Sequence, residues 1–472
     1  MKKNRTQATD NQWTTLVYMA ADNNLTEECV YSLKELHRVG TVPGVHAAAL
    51  YDSSAQNVPT RVYTFKQKSA GSKESDNDGR LEDIGKVFSV RIPKKDGKGF
   101  TRTHSAADSR MLEEFVRAGI SKNPALNYLL ILSGHGQGAI GDFLKGDDPP
   151  QSLSIPDFAS ALERAMKGKG PISVLGMDAC LMGMAEVCYE LRNTVRFMVS
   201  AEGFEINSGW PYQRIMESLN EAVSTKGIQP EELARMILER YMSYYRDYVI
   251  AGVSVDQAVA DLSKAETLAT AVKNLATVLK RGVVNSQIQN AIVLAHWKAQ
   301  TYMDDKYVDL WDFCDQLEAG LAGIDAQIAS RMASKKLNAD VKDACQAAKA
   351  AVERLIIVSS YSGAAFQHSH GISVYFPWRG NPDEMAAYKN LAFHKQTLWG
   401  DFLSLYVNET RRSVRNAGLH KPGAAIWVAP AQNAMAAHRS AAPWFRGEGY
   451  KTGSMKNPPA CFFPADSDRS KR

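Results

Sequence analysis

The sequence predicts an α/β fold: a mainly parallel β-sheet flanked by helices on both faces, with a helical insertion in the C-terminal half. Three observations carry that expectation. Short apolar runs of buried-strand type, at residues 14–20, 45–51, 127–133 and 172–175, alternate with segments whose apolar residues recur at helical spacing. Strands alternating with helices imply crossover connections and a parallel sheet. The runs also end in polar or glycine-rich residues, namely Asp22-Asn23-Asn24, Asp52, Gly134-His135-Gly136 and Asp178-Ala179-Cys180. Open α/β sheets gather their sites at these carboxyl ends.

Taken in order, residues 14–20 form the first strand and 22–24 its exit loop. Thr26 opens a helix through Val39, with Cys29, Leu33 and Leu36 on its apolar face. Residues 45–51 and 61–66 are the next strands. The polar stretch 68–80 and the basic stretch 90–99 read as surface loops. A helix over 109–121 leads into the strand that stops at His135. Residues 141–154 contain Gly146 and Pro149-Pro150, which predicts an exposed loop. Pro156 starts a helix to Met166, the crossover to the strand ending at Asp178. Leu181, Met184, Ala185, Cys188 and Leu191 then predict a helix opening directly after Cys180. Residues 197–201 are a strand, and 202–212 a loop punctuated by Gly and Pro. Residues 230–355 read as mostly helical, and strand character returns at 356–358 and 372–376.

This gives an extension over 1–12, a folded domain over 13–406 and a basic Ala/Pro/Gly-rich tail over 407–472. Residues 408–472 hold 11 Lys+Arg against 4 Asp+Glu, so the net charge of +5 resides in the tail and the remainder is near neutral. A nucleic-acid groove is therefore not expected. With 44% hydrophobic and 23% charged residues the composition is that of a soluble globular protein. No run of eighteen uncharged apolar residues occurs, so no membrane span is expected. The basic start Met1-Lys2-Lys3 has no apolar stretch behind it. The expectation is a cytoplasmic chain without a signal peptide, unless an export segment has been removed. Six cysteines with no C-x-x-C pair suggest neither a disulfide scaffold nor a zinc ribbon, and Cys188 and Cys345 read as packing residues.

Cys180 sits where a buried strand ends, and the N–H groups of a following helix turn would favour its thiolate. His135 ends another strand 45 residues upstream. If the strands are parallel neighbours, the two side chains share one edge of the sheet. A histidine about fifty residues before the cysteine is the order found in caspases, although the local caspase signature around the cysteine is missing. Gly136-Gln137-Gly138-Ala139-Ile140-Gly141 also fits a dinucleotide fingerprint. That reading requires a helix to open at once, and the sequence offers a loop instead. Asp178, just before the expected helix, would make a good N-cap.

These pieces together resemble the clostripain-type cysteine peptidases, a bacterial group within the caspase-like clan. The resemblance runs from Trp13 to Tyr406. It is carried by Trp13 to Leu25, Ser133-Gly134-His135-Gly136, Asp178-Ala179-Cys180-Leu181-Met182-Gly183-Met184-Ala185-Glu186, Ser200-Ala201-Glu202, Gly209-Trp210-Pro211-Tyr212 and Gly371 to Pro377. It implies a caspase-like sheet and a cysteine endopeptidase working through a Cys180–His135 dyad on protein or peptide substrates. The N–H groups of Gly136 and Cys180 are the expected oxyanion donors. By the resemblance Asp178 lines a pocket for a basic side chain, against its capping role. Glu202 and Glu205 either add charge there or are solvated loop residues. Self-cleavage is also implied, with Lys145-Gly146 as the best candidate site and Lys68 and Lys94-Lys95 as weaker ones. No third residue to orient His135 is evident, and no cofactor is expected. Some relatives depend on calcium, but no Asp-x-Asp-x-Asp-Gly loop is present. The competing reading is a catalytically silent binding protein on the same scaffold. A redox pair of Cys180 and Cys188 is excluded, since eight residues of helix separate them by about 12 Å.

Overall fold

The structure, a computed structural model, describes residues 11–54, 60–67, 85–87, 105–147, 150–303, 305–325 and 332–416. Lys68, Lys94-Lys95, Cys461 and most of the two terminal segments lie outside the described residues.

The first strand, β1 (Trp13–Ala21), is buried along its whole length. Leu16, Tyr18 and Ala20 belong to one hydrophobic core, and Val17, Met19 and Ala21 to a second on the opposite face. Side chains alternate across a strand, so a strand covered on both faces must be apolar at nearly every position. The same division holds in β5 (Asn127–Ser133), with Leu130 and Leu132 on one side and Leu129 and Ile131 on the other. The core of the sheet is five parallel strands: β2 (Val45–Ser53), β1, β5, β8 (Ile172–Asp178) and β9 (Val195–Ser200). Two antiparallel strands extend each end. Beyond β2 lie β3 (Arg61–Thr64) and β4 (Gly85–Val87); beyond β9 lie β10 (Val255–Asp261) and β13 (Ile356–Ser362). Among the described residues the sheet therefore has nine strands.

Helices α1 (Thr26–Val39), α5 (Tyr212–Thr225) and α6 (Pro230–Tyr245) contribute to one core. The other is built from α2 (Ser109–Lys122), α3 (Ile155–Ala165), α4 (Ala185–Leu191) and α7 (Ala265–Gly282), with the helices that follow them in the chain. These are α8 (Ser286–Lys298), α9 (Leu310–Asp325), α10 (Met332–Leu355), α11 (Pro382–Asn390), α12 (Ala392–Thr397) and α13 (Trp399–Asn416). A hairpin of β6 (Phe143–Asp147) and β7 (Pro150–Leu153) and a small sheet of β11 (Thr301–Tyr302), β12 (Tyr307–Asp309) and β14 (Ser373–Tyr375) complete it. The mainly parallel sheet flanked by helices is the expected fold class.

Within the mostly helical stretch 230–355 lies β10, a fully buried strand between β9 and β13. Three local expectations need correction. The helix expected directly after Cys180 starts at Ala185 instead. Residues 181–184 are drawn into strand-like pairing: Leu181 N–H donates to Gly203 O (2.8 Å), Gly183 N–H to Ala201 O (2.7 Å) and Ser373 N–H to Gly183 O (2.9 Å). The loop expected over 141–154 contains the β6–β7 hairpin, with Phe143 and Leu144 fully buried. The folded part also runs past Tyr406, since α13 continues to Asn416 with Tyr406 and Val407 buried.

Candidate active site

Parallel pairing of β5 with β8 sets Ser133 opposite Asp178, so the chain segments carrying His135 and Cys180 leave the sheet side by side. Gly136 packs directly on the Cys180 backbone. A side chain there would collide with the Cys180 carbonyl oxygen and lie 3.2 Å from its nitrogen, which is why the residue is glycine. His135 and Cys180 line one pocket, together with Leu25, Glu28, Cys29, Asp178, Glu205 and Gly209 among others.

Cys180 is partly exposed, and its sulfur is held by the loop after β9. Glu205 N–H donates to Cys180 Sγ at 3.2 Å, and Sγ lies 3.7 Å from Glu205 O. The helix-terminus argument for its thiolate fails, because four residues separate Cys180 from the start of α4. The pocket's second thiol, Cys29, is a different case. Burial, then the nearby Asp178, pushes it up to about 12, so it stays protonated and unreactive.

His135 Nε2 lies 2.6 Å from Asn24 Oδ1. Burial lowers its pKa from 6.5 and so favours the neutral imidazole. The sequence reading missed Asn24. It stands 111 residues from His135, in the exit loop of β1. The available signal was that loop's place on the same sheet edge.

Asp178 does not cap a helix; the residue before α4 is Met184. Its carboxylate is buried at the pocket, where Tyr212 Oη donates to Oδ2 at 2.7 Å. Burial raises its pKa to about 6, opposed by hydrogen bonds from Tyr212, Ser133 and the Trp210 backbone. Glu205 also lines the pocket. Trp210 Nε1 donates to its Oε1 at 3.3 Å, and Gln257 Nε2 donates to the same oxygen. Gly176 makes room for that indole, since a Cβ there would meet the Trp210 ring at 2.7 Å. The glycine that interrupts the β8 run is thus the seat of Trp210.

Glu202 is not among the pocket residues. Its side chain turns the other way and accepts Gly371 N–H at 2.7 Å, in a sealed group with Asp256 and Asp309. Lys145 is not in an exposed loop either. It lies in β6, its carbonyl accepts Asn23 Nδ2 at 2.7 Å, and its ammonium is 3.4 Å from Asp142. No helix opens after β5, which removes the dinucleotide reading. Among the described residues no group of three or more His, Cys, Asp or Glu could hold a metal ion. No helix among them is long and apolar enough to cross a membrane.

The sequence profile of the Clostripain family matches residues 17–406. The chain belongs to that family. It is 25% identical over 426 residues to clostripain of Hathewaya histolytica, covering 78% of this chain and 75% of that protein. The fold resembles an inactive zymogen of a C11 protease from Parabacteroides distasonis. The TM-score is 0.57 at 18% identity, covering 83% of this chain and 99% of the other. A secreted C11 cysteine protease from Bacteroides thetaiotaomicron, solved with an irreversible peptide inhibitor, superposes with a TM-score of 0.55 at 16% identity, over 82% of this chain and 99% of that one. The protein is a clostripain-family cysteine protease with a caspase-like fold, and its substrates are peptides or proteins.

Proposed function

We propose that the protein is an endopeptidase that cleaves after arginine, then lysine, through a Cys180–His135 dyad. The observation that carries this reading is a single pocket lined by Cys180, His135 and three carboxylates, Glu28, Asp178 and Glu205. Cys180 Sγ attacks the scissile carbonyl and forms a C–S bond, while its proton passes to His135. With Nε2–H donating to Asn24 Oδ1, Nδ1 keeps the lone pair that accepts it. Asn24 thus holds the tautomer and the ring plane. The negative oxygen of the tetrahedral intermediate is met by the N–H groups of Gly136 and Cys180, whose backbones pack together. His135 then protonates the leaving amine, and water, deprotonated by the same imidazole, hydrolyses the thioester.

The basic side chain before the scissile bond enters the acid-lined pocket, where Asp178 supplies charge. Self-cleavage at Lys145 would require the β6–β7 hairpin to open first, because that residue lies within β6, half-buried, with its carbonyl held by Asn23.

The dyad is tested by replacing each member. Cys180→Ala and His135→Ala should each remove nearly all turnover with unchanged thermal unfolding. The double variant should lose little more than either single one, because the two residues act as a unit. Comparable turnover in Cys180→Ala would discard the mechanism.

A further inference from the structure

One face of α1 forms a wall of the pocket. Leu25, Glu28, Cys29 and Ser32, spaced i, i+3, i+4 and i+7, all line it. Three of these residues are apolar or small, and the fourth, Glu28, is the acid of this wall. Glu28 Oε2 is shut off from solvent and has no hydrogen-bond partner in the structure. An enclosed carboxylate oxygen without a donor is unfavourable, and it is relieved when a cation arrives.

The other two pocket acids are engaged already. Asp178 Oδ2 takes the Tyr212 hydroxyl, and Glu205 Oε1 takes both Trp210 and Gln257. Glu205 Oε2 also lacks a partner. That carboxyl is fully enclosed, however, and burial, then the neighbouring Asp178, raises its pKa well above the ordinary carboxylate range.

We propose that Glu28 is a specificity-determining residue, whose Oε2 accepts a hydrogen bond from the guanidinium of the arginine preceding the scissile bond. The proposal rests on the reading that the pocket takes a basic side chain. A guanidinium presents five N–H donors in a plane, more than Asp178 alone can accept beside Tyr212. A second carboxylate on the α1 wall meets the donors that remain. An ammonium is compact and gains less from two separated acceptors. Glu28 therefore favours Arg over Lys, and Asp178 favours either over a neutral residue.

The experiment compares kcat/KM for peptides differing only in Arg, Lys or citrulline before the cut, with wild type, Glu28→Gln and Glu28→Asp. Glu28→Gln should lower the Arg value roughly tenfold to a hundredfold. It should also lower the Arg/Lys ratio, and lower the citrulline value by a smaller factor than the Arg value. Glu28→Asp keeps the charge but withdraws the oxygen by one methylene. It should retain the preference for basic residues over citrulline and lose that for Arg over Lys. If wild type prefers Arg and both variants keep its Arg/Lys and Arg/citrulline ratios, the role assigned to Glu28 is overturned and the basic pocket stands. If wild type shows no preference for Arg or Lys over citrulline, the basic pocket fails, and the role of Glu28 with it.

Discussion

Two groups of acids lie on either side of the loop after β9, and they are built on opposite principles. Glu205 belongs to the pocket group with Asp178 and Glu28, and Glu202, three residues earlier, belongs to the sealed group with Asp256 and Asp309. In the sealed group nearly every oxygen faces a backbone amide. Asp256 accepts Glu202 N–H (2.8 Å) and Gly203 N–H (3.0 Å). Asp309 accepts Asp312 N–H (2.7 Å) and His370 N–H (2.5 Å). Burial, then the repulsion of Asp309 and Asp256, raises the pKa of Glu202 strongly. These acids fasten the loop, whose Gly203 and Ala201 carbonyls in turn hold residues 181 and 183 beside Cys180. The pocket acids are bonded mostly by side chains, and one oxygen each of Glu28 and Glu205 has no hydrogen-bond partner. A carboxylate filled by amides is a fastening, and one with vacancies beside a nucleophile is available for recognition.

The largest effect that would test this division is Asp256→Ala. It strips the acceptor from two buried amides, and each unsatisfied group costs about 1–3 kcal/mol, so stability should fall by about 2–6 kcal/mol. Denaturant unfolding measures it. In the folded fraction the Arg/citrulline ratio of kcat/KM should stay at the wild-type value. A collapsed ratio with unchanged stability would mean that the sealed group takes part in recognition.

How much of this was legible beforehand depends on what the chain could reveal locally. β1, β2, β5 and β8 were readable because strands covered on both faces are apolar throughout, and their ends pointed to His135 and Cys180. β10 was not. Its sequence, Val255-Asp256-Gln257-Ala258-Val259-Ala260-Asp261, is rich in polar residues, yet all seven are buried. Asp256 and Gln257 are soluble in the core only through partners supplied by the loop after β9. The register of α4 was misread because the apolar spacing begins at Leu181, while hydrogen bonds to residues 201, 203 and 373 hold the first residues out of the helix. Glu202 and Glu205 could not be told apart, since which way each points follows from a turn, not from its type. Asn24 and Glu28 both lie at the β1–α1 corner. Their partners come from other strand ends, so only the assembled sheet edge reveals them.

Asp178→Asn is the next perturbation in size. Loss of the pocket charge should lower the Arg/citrulline ratio about tenfold to a hundredfold, the weight of a charge-assisted hydrogen bond. Stability should respond with a definite sign. The native carboxyl holds its proton up to a pH of about 6, against 3.8 for the ordinary group. Between those values the native state binds more protons than the unfolded chain, so wild-type stability falls as pH rises. Asparagine has no such slope. Thermal unfolding at pH 4 and pH 7 should therefore show the variant gaining on wild type by up to about 3 kcal/mol across that interval. A constant difference would mean that Asp178 ionises as freely as a solvated acid.

The smallest effect is a pH dependence of recognition itself. A cationic side chain favours the ionised form of Asp178. At a pH above about 6, where that carboxyl is already charged, binding requires no proton release. Below it, each unit of pH makes the charged form about tenfold scarcer, and the Arg/citrulline ratio should fall by up to that factor. The ratio is the useful quantity because His135 titrates identically with both peptides and cancels. His135 sets instead the acid limb common to both, which should lie below 6.5 because burial lowers its pKa. Measured from pH 7 to pH 5, the wild-type ratio should be flat and then decline, whereas in Asp178→Asn it should stay low and flat. A wild-type ratio constant over the whole range would remove Asp178 as the titrating charge of the pocket. Recognition would then fall to Glu28, whose unpartnered oxygen needs no change of protonation at Asp178 to accept the guanidinium.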